Sequence, residues 1–174
     1  MKNEFLEIGK IINKRGIAGE LKVECYCDSP DSAKNVKIVY LNSEGKNPVD
    51  VLSIKDYKGF LYIKLNGVDN TEKADSLRGK LLYASRNDIT IQEGKNFIVD
   101  LIGLEVVDYD THKVYGKISD VINHGASDIY VVTNDNGNEY YVPAVKDIVV
   151  ETDIENHVLV KPIPGLFDNA EEIK

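Results

Sequence analysis

Few side chains in this sequence are placed to do chemistry, and spacing limits what each group of them can do. Cys25 and Cys27 are two residues apart. On an extended strand that means roughly 6.6 Å along the chain with parallel Cβ vectors, whereas a disulfide needs Cβ atoms about 3.8 Å apart. Two reduced thiols are expected, as in a cytoplasm. A metal site needs further ligands nearby, and His112, His124 and His157 all lie far from the cysteines in sequence. Neither a metal nor a cofactor is expected. His124 beside Gly125, with Asp120 and Asp128 near it, can be drawn as an acid–base cluster and supports an alternative reading as an RNA- or nucleotide-processing enzyme. Asp108 and Asp110 sit at a turn, where carboxylates ordinarily accept backbone hydrogen bonds. The chain has no phosphate-cradling glycine loop followed by Lys-Ser or Lys-Thr, no Gly-x-Ser-x-Gly elbow and no His-Glu-x-x-His. No catalytic residue is assigned.

Binding chemistry is better represented. Lys10, Lys14, Arg15 and Lys22 gather around Gly16-Ile17-Ala18-Gly19, a turn between two strand patterns, and together form a candidate cationic rim for RNA phosphates. Glu20 and Asp28 dilute it, and ordinary surface lysines give the same pattern. Residues 1–94 carry 15 Lys+Arg and 14 Asp+Glu, a net of +1, whereas residues 95–174 carry 6 and 15, a net of −9. An RNA-contacting domain is usually basic, so the second half is not expected to be one. Its charge suits a basic protein partner, or a surface kept soluble by repulsion.

The elements that must position these residues are almost all strands. A length of 174 residues, 43% of them hydrophobic and 29% charged, suits one large domain or two small ones. No run approaches the roughly 18 apolar residues of a membrane span, and the opening Met1–Glu7 lacks the apolar core of a secretory leader. No membrane association is expected. In Glu20–Cys27 the apolar residues alternate, which predicts a strand with Leu21, Val23, Cys25 and Cys27 facing inward. Val36–Leu41, Val49–Ile54 and Phe60–Leu65 follow the same logic as antiparallel hairpins, and Leu81–Ala84 resumes it. One short helix is predicted over Thr71–Arg78, with a cap-type residue at its start and Gly79 past its end. Periodicity fails at Thr90–Lys95, which predicts a domain boundary. Further strands are expected at Leu101–Val107, Val114–Ile122, Ile129–Thr133, Glu139–Val142, Ile148–Glu151 and Val158–Lys161. Closely spaced strands without long helices predict an all-β chain of two small β-barrels, closed or half-closed.

Ile8–Val23, with its Gly16-Ile17-Ala18-Gly19-Glu20 turn, resembles the opening motif of the RimM family of ribosome maturation factors. Further landmarks of that family follow in order: Ala74–Lys80, Asp100–Val106, Gly116-Lys117-Ile118, Gly125–Asp128, Val142–Val145 and Pro164–Asp168. The resemblance implies an N-terminal translation-factor-like barrel over 1–91, a C-terminal PRC-type barrel over 96–168 and a tail at 169–174. It also implies a monomeric, non-enzymatic factor for assembly of the small (30S) subunit head and for 16S rRNA maturation. The implied partners are a basic head protein of the S-nineteen (uS19) family, the immature small subunit and its 16S rRNA. Family members commonly carry Tyr-Tyr-Trp just before the Asp-Leu-Ile-Gly motif, tied to ribosome binding; here those positions are Asn96, Phe97 and Ile98. Phe97 is expected to remain an anchor beside Ile98, the alternative being that both are barrel core. A generic protein-interaction module is a further reading, because fold does not fix function.

Overall fold

The computed structural model describes residues 2–123 and 126–168. The chain divides into two compact units, Lys2–Lys95 and the part from Asn96 onward.

In the first unit β1 (Phe5–Arg15), β2 (Glu20–Cys25), β3 (Ile38–Val39), β4 (Val49–Tyr57), β5 (Phe60–Leu65) and β6 (Leu81–Ser85) form an antiparallel sheet in the order β3-β4-β5-β2-β1-β6. Its two ends meet just past β3, where Tyr40 and Tyr83 exchange both backbone hydrogen bonds at 2.8 Å. Alternation sends Ile8, Ile11, Leu21, Val23, Leu61, Ile63 and Leu65 inward, each at most 1% exposed. Such burial contributes about 1.5–3 kcal/mol per side chain. Gly9 is part of this packing, because a Cβ there would lie 2.3 Å from the Glu24 carbonyl oxygen on β2.

Several boundaries differ from the sequence reading. The strand expected over Val36–Leu41 shrinks to Ile38–Val39, because a 3₁₀ turn at Pro30–Ala33 precedes it and the Asn42 side chain, accepting from the Glu44 and Lys46 amides at 3.1 and 2.9 Å, turns the chain after it. β2 stops at Cys25, so Cys25 and Cys27 are half-buried free thiols at a strand end rather than core residues. The helix α1 is Thr71–Ser76, two residues shorter than expected, and its cap is Asn70, which is extended and accepts from the Lys73 amide at 2.8 Å. Ala74 of α1 is 1% exposed.

In the second unit α2 (Ile98–Leu101) precedes β7 (Glu105–Asp108), β8 (Val114–Asn123), β9 (Asp128–Thr133), β10 (Glu139–Pro143), β11 (Val149–Asp153) and β12 (His157–Val160). The sheet order is β10-β9-β8-β7-β12-β11, and β7 and β12 run parallel while their neighbours run antiparallel. Where a strand was expected from Leu101, the chain makes a helical turn instead, closed by the Ile102 amide on the Ile98 carbonyl at 3.1 Å. That turn carries Leu101 into the core at 2% exposure, beside Val106, Ile118, Val132, Val142, Val158 and Val160. Phe167 covers the core, stacked on Tyr115 with centroids 3.8 Å apart and edge-on to Tyr140 at 5.3 Å. Among the described residues no helix is long and apolar enough to cross a membrane.

Candidate functional site

The cations of the first unit are arranged by one irregularity in β1. Lys10 and Arg15 are five residues apart, which on a regular strand would put them on opposite faces. A bulge between Ile11 and Asn13 inserts a residue, so Lys10 pairs with Glu24, Asn13 with Lys22 and Arg15 with Glu20, all on the outer face. Lys14 pairs with Leu21, which is fully buried, and so belongs to the opposite face. There its Nζ donates to Asp75 of α1 at 2.5 Å. The four cations named from the sequence therefore separate: Lys10, Arg15 and Lys22 share a face, and Lys14 is an anchor for α1.

Two of the three cations on that face sit on rings. The Arg15 guanidinium lies 4.6 Å from the Tyr62 ring centroid and 3.7 Å from the Glu20 carboxylate, and the Lys22 ammonium lies 4.0 Å from the Phe60 ring. Such pairs contribute about 0.5–1 kcal/mol each at exposed sites. Sequence reasoning missed Phe60 and Tyr62, although alternation along Phe60–Leu65 places both opposite the buried Leu61 and Ile63.

The turn between β1 and β2 is fixed rather than loose. Gly19 has φ +80°, and a Cβ on it would lie 2.5 Å from the Val68 carbonyl oxygen, so only glycine lets the two backbones meet. Lys64 donates to the carbonyls of Ala18 and, at 2.7 Å, Val68, which ties the turn to the segment before α1. Ile17 at the tip is 86% exposed.

In the second unit Asn96 and Phe97 are half-buried at the start of α2, and Ile98 is 37% exposed. Neither Phe97 nor Ile98 belongs to the buried core, which begins at Leu101. The same short helix also exposes Val99, and Ile102 follows it outward. These two neighbours were not singled out from the sequence; the helical turn over Ile98–Leu101 brings them beside Ile98. Residues 96–168 carry 4 Lys+Arg and 13 Asp+Glu, a net of −9, so an apolar edge lies within an anionic unit.

Groups capable of reaction are structurally occupied. The Asp108 Oδ1 accepts the amides of Asp110 and Thr111, each at 2.9 Å, and Oδ2 accepts the Tyr115 hydroxyl at 2.6 Å. These bonds, led by the Tyr115 hydroxyl, hold the carboxyl down at about 2, while burial and the adjacent carboxylate push Tyr115 up to about 12. Asp120 accepts the Val121 amide and Asp128 accepts from Asn123. His124 and Gly125 lie outside the described residues, and so does the tail at 169–174. Hydrogen bonding between the two thiols lowers Cys25 to about 7 and raises Cys27. Among the described residues no three His, Cys, Asp or Glu side chains gather as a metal site.

Comparison with known proteins places both units. Residues 6–89 match the RimM N-terminal domain and residues 98–166 the RimM PRC barrel domain. A ribosome maturation factor RimM from Ruminiclostridium cellulolyticum is 37% identical over 168 residues, covering 95% of this chain and 99% of its own. That of Clostridium botulinum is 41% identical over 162 residues, covering 92% and 95%. Among solved structures, a 16S ribosomal RNA processing protein RimM from Pseudomonas aeruginosa is 25% identical, covers 91% of this chain and 98% of its own, and superposes with a TM-score of 0.45.

Proposed function

We propose, from the premise that this chain belongs to the RimM family, a ribosome maturation factor acting in small-subunit assembly and 16S rRNA processing. The observation that carries the reading is that both domains match in order and that the relatives span nearly the whole chain. The factor acts as a cytoplasmic monomer, by binding and without a covalent step. Residues 1–91 and 96–168 are its two working modules. The second presents Phe97 and Ile98, with Asn96 beside them, to a basic head protein of the uS19 family, whose charge complements the net of −9. The first approaches 16S rRNA through Lys10, Arg15 and Lys22. Lys14, already paired with Asp75, supports the fold instead.

The test is sedimentation of purified full-length protein with small subunits. Co-migration with free immature subunits, absence from joined ribosomes and release as salt rises are the expected results, because paired opposite charges weaken once the screening length falls to about 8 Å or less. A folded protein that ignores small subunits at low salt would end this reading.

A further inference from the structure

We propose that the outer face of β2, β5 and β4 in the first unit is a platform for single-stranded RNA, on which unpaired bases stack on Tyr57 and Phe60. This rests on the reading above that the first unit meets RNA, and it names the form of RNA. The outward side of a sheet in a soluble barrel is ordinarily polar at alternate positions. Here it is not. Tyr57 and Phe60 are directly paired across β4 and β5, and Tyr62, two residues on from Phe60, is paired with both Lys22 and Lys55. The rings adjoin, with Tyr57 and Tyr62 centroids 6.5 Å apart. Tyr57 is 55% exposed, whereas Tyr62 is 9% exposed beneath Arg15. Tyr62 therefore forms the floor, and Tyr57 and Phe60 are the surfaces a base can reach.

The charges on this face complement a phosphate backbone. Lys10, Arg15, Lys22 and Lys55 occupy outward positions and Lys58 sits in the β4–β5 turn, 5.3 Å from the Tyr57 ring, against the outward carboxylates Glu20 and Glu24. With Lys64 of β5 and the outward acids Glu7 of β1 and Asp50 of β4 added, six cations stand against four acids, a net of +2, when residues 1–94 as a whole reach only +1. Rings interleaved with cations are what sequence-tolerant single-strand binders present: the π-face takes any base, and the cations take phosphates. A cation resting on a ring does not block the site. A surface cation–π pair is weaker than a base stacked on the same ring, so Lys22 can leave Phe60 for a phosphate as the base arrives. Duplex RNA cannot use these rings, since its bases are stacked already.

The test compares full-length protein binding to a fluorescent unpaired octaribonucleotide and to a hairpin duplex of the same charge. The single strand is expected to bind more tightly. Tyr57→Leu and Phe60→Leu keep apolar bulk but remove the π-face, and each is expected to weaken single-strand binding by about five-fold or more; Tyr57→Phe should restore it. Lys22→Gln should flatten the salt dependence by about 0.7 in log–log slope, one phosphate contact. Tyr57 is half exposed, so Tyr57→Leu keeps the comparison available if Phe60→Leu folds poorly. Equal affinity for duplex and single strand, or unchanged binding in Tyr57→Leu, overturns the platform. Loss of a captured ribosomal protein with RNA binding intact would make this face a protein surface and likewise overturns it. Each of these results leaves subunit co-sedimentation, and hence the broader function, standing or falling by its own measurement.

Discussion

The two units are built from the same alternating strands but finish their cores by different means. In the first, backbone joins the ends of the sheet through the Tyr40–Tyr83 pair, and its surface aromatics are left to meet cations. In the second no ladder joins β10 to β11 among the described residues, and aromatic side chains cover the core instead, with Phe167 laid on Tyr115 and Tyr140. Rings meet cations in both units, at Tyr57, Phe60 and Tyr62 in the first and at Tyr109 and Tyr115 in the second, but in the second a stacked pair also covers the core. Charge follows the same division. The first unit concentrates cations on one face of a near-neutral surface, while the second is anionic with an apolar edge at α2.

The strongest test of that contrast is a core deletion in each unit. Ile63→Ala in the first and Ile118→Ala in the second should each cost about 2–5 kcal/mol, because both side chains are at most 1% exposed. Calorimetry of the full chain should show the altered unit melting earlier while the other keeps its transition; a single shared shift would mean that the units fold as one. Next in size, Phe97→Ala should weaken binding to small subunits about ten-fold, in the range of an aromatic anchor, with the melting profile of the first unit unchanged. Unaltered affinity in the sedimentation assay would move the contact away from α2.

A smaller effect is specific to the second unit and depends on pH. The folded-state value of Asp108, about 2, lies below the unfolded carboxylate value near 3.9. Its contribution to stability is therefore complete above about pH 4 and is lost as pH falls toward 2. Asp108→Asn cannot accept the Tyr115 hydroxyl through its amide nitrogen, so the variant should be less stable at pH 7, with the gap to wild type narrowing between about pH 4 and pH 2. A gap independent of pH would assign the loss to packing. The smallest effects concern the first unit: Asn70→Ala should cost about 1 kcal/mol through loss of the α1 cap, and Lys14→Ala at most about 1 kcal/mol as a partly exposed ion pair. Lys14→Ala should also leave RNA binding unchanged while Lys22→Gln weakens it, which is the direct check that the bulge in β1 sorts these cations onto different faces.

Alternation of apolar residues was sufficient to locate most of the strands, because it depends on residues close in sequence. Val114–Asn123 and Glu139–Pro143 fall within a residue of their expected limits for that reason. The expected strand at Leu101 failed because a helical turn and a strand bury a single leucine equally well, and only the neighbours waiting in the core select between them. Cys25 and Cys27 kept the alternating pattern but not the core, since β2 had already ended. Other features have no local signature at all. The parallel pairing of β7 with β12, the bridge from Tyr40 to Tyr83 and the stacking of Phe167 on Tyr115 join residues far apart in the chain.

The sequence by itself determined that this is a two-part β protein with unequal charge, since composition and period-two patterning survive any choice of strand partners. Tertiary structure alone decided which side chains meet. Register is set by pairing between distant segments, and one inserted residue in β1 is enough to bring Lys10 to the side of Arg15 and send Lys14 to α1. Face, unlike strand, is a property of the pair.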